Sequence, residues 1–261
     1  MKFTSVIVIV MSITILNFVE VTHARRATVT ILYDNSPFKK GLIPSNGFSC
    51  LIKGTEKTIL FDTGGDGNIL LHNIKQLKII PKSVDVVVIS HEHSDHTGGL
   101  LTFLSLNDDV SIYLPNILPD DLSRQISLYD AKINYVSQPF MICKGVYSTG
   151  VMGNAIKEQS LIFNSKRGLI LITGCAHPGI VNIIENAMRI FKKRVLFVFG
   201  GFHFKGKSDD AIRNLINKFM SLGVKKVGGS HCTGGRAMQL FQEIYGKNYI
   251  PMGVGKIIAL N

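Results

Sequence analysis

The chain reads as an α/β protein in which strands are followed by helices, and three observations carry that reading. Short apolar runs alternate with amphipathic stretches from Ala27 onward. Apolar residues make up 46% of the 261, enough to bury a full core in one large domain or two small ones. Glycine outnumbers proline 25 to 8, which suits tight turns and a function carried on loops.

The N-terminus stands apart. Lys2 precedes an apolar run from Phe3 to Val19, and Ala24 offers a cleavage point, so residues 1–24 have the pattern of a secretory signal peptide. Ser12, Thr14 and Asn17 make the run short and polar for a spanning helix, which wants about 20 apolar residues. An uncleaved membrane anchor is the alternative. The working domain is then 25–261, in a secreted or periplasmic protein. Its four cysteines, Cys50, Cys143, Cys175 and Cys232, form no C-x-x-C pair, so neither a zinc ribbon nor a redox dithiol is indicated, and free or buried thiols are expected.

Within the domain, 27–33, 48–53 and 57–61 read as strands, the last two joined as a hairpin through Gly54-Thr55-Glu56. Asn68 is placed to cap a helix on which Ile69, Leu70, Ile74 and Leu77 share a face. Val84–Ile89 is a buried-looking strand, and helical character resumes over Gly98–Leu106. The stretch 107–157 is the least regular and reads as an insertion with loops over the active site. Then follow strands 160–164 and 168–173, helix 179–193, strand 195–199, helix 208–222, strand 224–227, helix 235–245 and strand 256–260. Two rounds of strands followed by helices suggest two similar halves.

The chemistry concentrates at one strand end. His91-Glu92-His93-Ser94-Asp95-His96 follows the strand VDVVVIS directly, so alternate side chains can converge on one point while their neighbours reach another. That suits two adjacent metal sites, since zinc takes nitrogen and oxygen ligands at about 2.0–2.2 Å and keeps a position open for water in catalytic sites. Four local ligands cannot complete two sites. His177, His203 and His231 each follow a strand, and a lone histidine there is usually a packed or surface residue, but three at equivalent positions make coincidence a poor explanation.

The H-x-H-x-D-H block, with Phe61-Asp62-Thr63-Gly64 upstream and histidines at later strand ends, resembles the metallo-β-lactamase superfamily over residues 28–260. LFDTGGDGNILLHN (60–73), SHEHSDHTGGL (90–100), TGCAHPGIVNII (173–184), GGFH (200–203) and SHCTG (230–234) are similar to its dihydropterin–ribofuranosylaminobenzene phosphate synthase-like subfamily. The resemblance implies a four-layer αββα sandwich with two divalent ions, of zinc type, at one edge. It puts His91, His93 and His177 on the first ion and Asp95, His96 and His231 on the second. Asp62 would orient ligand imidazoles, and Asp95 would double as a base. The departure is His203, where many members carry a bridging Asp; it is left to bind one ion or a substrate group. His93 stands where the diiron flavoprotein branch needs Glu, which argues against redox chemistry.

The subfamily name implies a pterin condensation, but a secreted enzyme would rarely meet those cytosolic metabolites, so the function expected is hydrolysis of a phosphoester or lactone-like ester. A pterin-condensing transferase, a non-catalytic metal- or ligand-binding protein and a nuclease are the alternatives. The net charge of +11 can attract a small anionic substrate, nucleic acid or a membrane surface, or simply mark a solvated basic face. Nucleic acid is not favoured, because no Lys/Arg run exceeds Lys192-Lys193-Arg194 and aromatics are not interleaved with it. Residues 201–208 match a phosphate-loop pattern, but Phe202 and Phe204 would crowd its amides and Asp209-Asp210 would repel phosphate. Cys175 and Cys232 read as small buried fillers beside the pocket, and Glu158 as a residue either in the cleft or on the surface. Oligomeric state is not readable.

Overall fold

The computed structural model describes residues 27–116 and 120–260, leaving out the side chain of residue 120; the segment read as a signal peptide lies outside them. No described helix is long and apolar enough to cross a membrane.

Alternation along the strands decides the layering, because successive side chains point to opposite faces. In β10 (Leu169–Thr173), Ile170 and Ile172 join an apolar cluster shared with β1 (Thr28–Tyr33), β2 (Ser49–Lys53) and β3 (Ile59–Phe61), whereas Leu169 and Leu171 join another with the helices α5 (Ile180–Phe191), α6 (Asp209–Ser221) and α7 (Gly235–Tyr245). Likewise Leu60 faces the helices α1 (Gly67–Gln76) and α3 (Leu100–Leu104), while Ile59 and Phe61 face the inter-sheet core. Helix, sheet, sheet, helix: the expected αββα sandwich is the observed fold.

The first sheet has the order β13-β1-β2-β3-β4-β5-β6, adding β4 (Val86–Val88), β5 (Ser111–Pro115), β6 (Lys132–Val136) and β13 (Ile257–Ala259). The second runs β12-β11-β10-β9-β8-β7, with β7 (Phe140–Cys143), β8 (Val146–Ser148), β9 (Leu161–Asn164), β11 (Val195–Gly201) and β12 (Lys226–Ser230). The hairpin at Gly54 is present as the antiparallel β2–β3 pair. Within the sheets β3 to β6, and β10 to β12, run parallel. Open parallel sheets gather ligand-binding loops at the carboxyl ends of their strands.

Two readings of the sequence are corrected. The α1 cap is Asp66, whose carboxylate accepts from the Asn68 and Ile69 amides, so the helix starts a residue before Asn68. The stretch 107–157 is no irregular insertion: β5, the short helix α4 (Asp120–Ile126), β6, β7 and β8 complete both sheets. Strands of three to five residues, with exposed positions on β6 and β7, leave too little apolar periodicity to be seen in sequence.

Candidate metal centre

All the singled-out side chains stand just past the carboxyl ends of parallel strands: Asp62 after β3, His91 to His96 after β4, His177 after β10, His203 after β11 and His231 after β12. The backbone turns sharply there. Asp62, Ala176, His203 and His231 all have φ between 46° and 61°, a region that costs a non-glycine residue about 1–3 kcal/mol and concentrates at functional sites. Left-handed Ala176 lets Cys175 and His177 both face inward. The short turn α2 (Ser94–Thr97) carries Asp95 and His96, and Gly98 lies so close to the Asp62 loop that a Cβ would fall 2.3 Å from the Gly65 carbonyl oxygen.

Two trios assemble, each with its ligand atoms within 4.8 Å of one another: His91, His93 and His177, and Asp95, His96 and His231. These are the two sets the family pattern implies. The rings confirm their proximity, with centroids 4.7 Å apart for His91–His177, 4.9 Å for His93–His177 and 5.1 Å for His96–His231.

The hydrogen bonds fix which ring nitrogens are free. Asp62 is fully buried; its Oδ1 accepts from the Ser90 amide at 2.6 Å and its Oδ2 from Ser90 Oγ and His96 Nδ1, both at 2.7 Å. With its proton committed to Asp62, Ser90 Oγ can only accept from His91 Nδ1, 2.9 Å away. Both imidazoles therefore carry hydrogen on Nδ1 and turn an Nε2 lone pair to the centre. Asn35 does the same for His231: its Oδ1, held by the Gly47 amide, accepts from Nδ1 at 2.8 Å. His231 Nε2 then faces Asp95 Oδ2 at 3.2 Å, acceptor against acceptor, and it has no hydrogen-bond partner. His177 Nε2 is a second buried nitrogen without a partner. One unpartnered buried lone pair in each trio fits a cation, so the residues suit a metal.

The charge states agree. Burial, then the neighbouring imidazoles, hold His91 far below the usual histidine range and pull His177 down to about 4. His231 is lowered by burial against the opposing pull of Asp95. Asp95 is held well below the carboxylate range, first by the His231 ring beside it. His96 is the exception: burial lowers it, but the Asp62 charge and hydrogen bond carry it upward overall.

Two residues have clearer roles than the sequence offered. Glu158 is buried under the site, where Oε1 accepts from the Cys175 and Ala176 amides at 2.9 Å and Oε2 from the His177 amide at 2.8 Å, so one carboxylate holds the whole ligand turn. The Cys175 thiol is buried beside the ligands, its Sγ 3.3 Å from His96 Nε2. The one available signal was the likeness of Glu158-Gln159 to a segment of the subfamily. His203 sits outside both trios, exposed, with its ring 4.6 Å from that of His177. Beside it opens a cavity of about 310 Å³ lined by His177, Asn182, Phe204 and Lys207. A cavity of about 420 Å³ lies elsewhere, among Arg167, Lys225, Lys226 and Lys256; volume alone does not mark the site. In the phosphate-loop stretch, Phe202 and Phe204 are core residues and Ser208 caps α6 through the Ala211 amide.

An αββα sandwich with acids and imidazoles gathered at its parallel strand ends defines the class of metal-centred β-sandwich enzymes. Residues 42–182 match the model of the metallo-β-lactamase superfamily, and the chain belongs to that superfamily. It is 30% identical over 273 residues to a 7,8-dihydropterin-6-methyl-4-(β-D-ribofuranosyl)-aminobenzene-5′-phosphate synthase of Methanocaldococcus jannaschii, covering 86% of this chain and 92% of that one. An uncharacterized protein of the same organism is 28% identical over 263 residues, covering 89% of this chain and 100% of the other. Among solved structures, Tm1679, described as a metal-dependent hydrolase of the β-lactamase superfamily, superposes with a TM-score of 0.76 at 27% identity, over 90% of this chain and 99% of that one.

Proposed function

We propose that this protein is a two-metal hydrolase of a small anionic ester, a phosphoester or a lactone-like ester, with two divalent ions of zinc type as its cofactors. The observation that carries the reading is the pair of adjacent ligand trios, each holding one buried imidazole nitrogen, His177 Nε2 or His231 Nε2, that has no hydrogen-bond partner. His91, His93 and His177 would hold one ion and Asp95, His96 and His231 the other. Ions so held supply Lewis acidity, activating water and polarising the bond under attack.

The chain's own groups do the rest. Asp95, kept ionised by the His231 ring beside it, is in place to accept a proton from the attacking water. His203 and Lys207, lining the 310 Å³ cavity beside His177, present polar and cationic groups to an anionic substrate, and no acidic side chain lines that cavity among the described residues. Phe202, Phe204 and Leu215 make its apolar wall. Export through residues 1–24 is part of the proposal, supported by the charged, apolar and small-residue pattern of that segment. A transferase reading is favoured by the 30% identity to a protein named as a synthase. It would use the same activation with a different acceptor.

The test is a panel of phosphomonoesters, phosphodiesters and lactones, together with the pterin condensation, on metal-loaded protein lacking residues 1–24 and on its His93→Ala variant. Ester turnover that His93→Ala abolishes supports the hydrolase. Pterin condensation without ester turnover would replace it with the transferase, and equal turnover by both proteins would dismiss the activity as a contaminant.

A further inference from the structure

Cys175 belongs to two clusters of close ligand atoms at once, one with His91 and His96, the other with His231 and Cys232. His91 is in the first trio, His96 and His231 in the second, so this thiol is within 4.8 Å of ligand atoms from both. Its Sγ is 3.3 Å from His96 Nε2, a nitrogen that the Asp62 bond leaves without hydrogen. The turn that aims the thiol is rigid: the Cys175 and Ala176 amides end on the buried Glu158 carboxylate, and Gly201, whose Cβ would fall 2.5 Å from Cys232 Sγ, leaves room on the far side. His203, which stands where a bridging carboxylate was anticipated, lies outside these clusters.

We propose that Cys175 would serve as a metal ligand of this centre, its Sγ standing among ligand atoms of both trios where His203 does not reach. The proposal rests on the metal-holding part of the function proposed above. Coordination replaces the thiol S–H bond by a sulfur–metal bond and releases the proton to solvent, with no change in oxidation state. Cys232 is the contrasting thiol: partly exposed, it points its Sγ at the Cys175 carbonyl oxygen at 3.5 Å, which makes it a support for the turn.

Two readouts other than turnover test this. X-ray absorption on zinc-loaded wild-type protein should show a sulfur neighbour at about 2.3 Å beside the nitrogen and oxygen shell. Cobalt-loaded protein should show a thiolate-to-cobalt charge-transfer band that is lost in Cys175→Ser and retained in Cys232→Ser. The Cys175→Ser protein should also bind its second ion at least about tenfold more weakly, with unchanged far-ultraviolet circular dichroism. Two ions bound with only nitrogen and oxygen neighbours would overturn the thiolate and leave the hydrolase reading intact. A band that survives in Cys175→Ser would give the role to another sulfur. Failure of the wild type to bind cobalt or zinc would overturn both.

Discussion

At Asp62 one buried carboxylate serves three donors, and through them it decides the tautomers of two imidazoles: His96 directly and His91 by way of Ser90. Replacing Asp62 by Asn tests that role cleanly, because Asn tolerates the left-handed backbone that this position requires. The amide keeps the shape but puts a donor where one of the three hydrogens must land. We expect Asp62→Asn to weaken metal binding about 10–100-fold with no change in ligand identity, read as metal retained during dialysis against a competing chelator. Wild-type retention would show that the tautomers are set elsewhere. At this scale the sequence was most legible where ligands are local. The six residues from His91 to His96 declare themselves, and Asp62 is marked by the Phe-Asp-Thr-Gly stretch. Asn35 was not, because its bond to His231 spans 196 positions and an isolated Asn carries no signal.

The element most exposed to perturbation is the turn after β10, which brings Cys175 and His177 to the centre. Its three amides have a single acceptor group, the Glu158 carboxylate on the approach to β9. Glu158→Gln would set an amide NH₂ against at least one of those backbone donors, leaving a buried group unsatisfied at about 1–3 kcal/mol. The expected result is a lower urea midpoint with an unchanged denaturant slope, together with loss of metal from the His91, His93 and His177 trio. A variant that lost neither stability nor metal would show that the turn holds itself. This dependence explains why Glu158 could be placed equally well in the cleft or on the surface from sequence alone: its partners are backbone amides, which have no residue identity to read. The same limit hid β6, β7 and β8, whose short lengths give no periodicity, while longer amphipathic segments such as α5 and α6 were found to within a residue or two.

For the whole molecule the pattern of strands and helices announced an α/β chain, but the four-layer arrangement came from resemblance, since nothing local says that Ile170 and Leu171 face different cores. Gathering the site also has a global consequence. His91, His177 and His231 are neutral in the fold with pKa values below the ordinary 6.5, so the unfolded chain takes up their protons first. Where the unfolded state binds more protons, stability rises with pH. Metal-free protein should therefore lose stability as pH falls from about 6.5 through about 4, the lower bound being that of His177. His96 has the opposite sign, its contribution present at low pH and fading as pH rises through its raised value, and burial gives Asp34, raised to about 6, and Glu158 the same sign on the acid side, two carboxyls against three lowered rings. Asp95 enters only below its ordinary 3.8. Zinc should steepen the acid side, because bound ligands must be deprotonated. It should also raise the unfolding free energy by about 2.7 kcal/mol when free metal is a hundredfold above its dissociation constant. Urea midpoints across that pH range, with and without zinc, decide the matter. A midpoint that holds steady or climbs on acidification of the metal-free protein would mean that these imidazoles are not kept neutral by the fold.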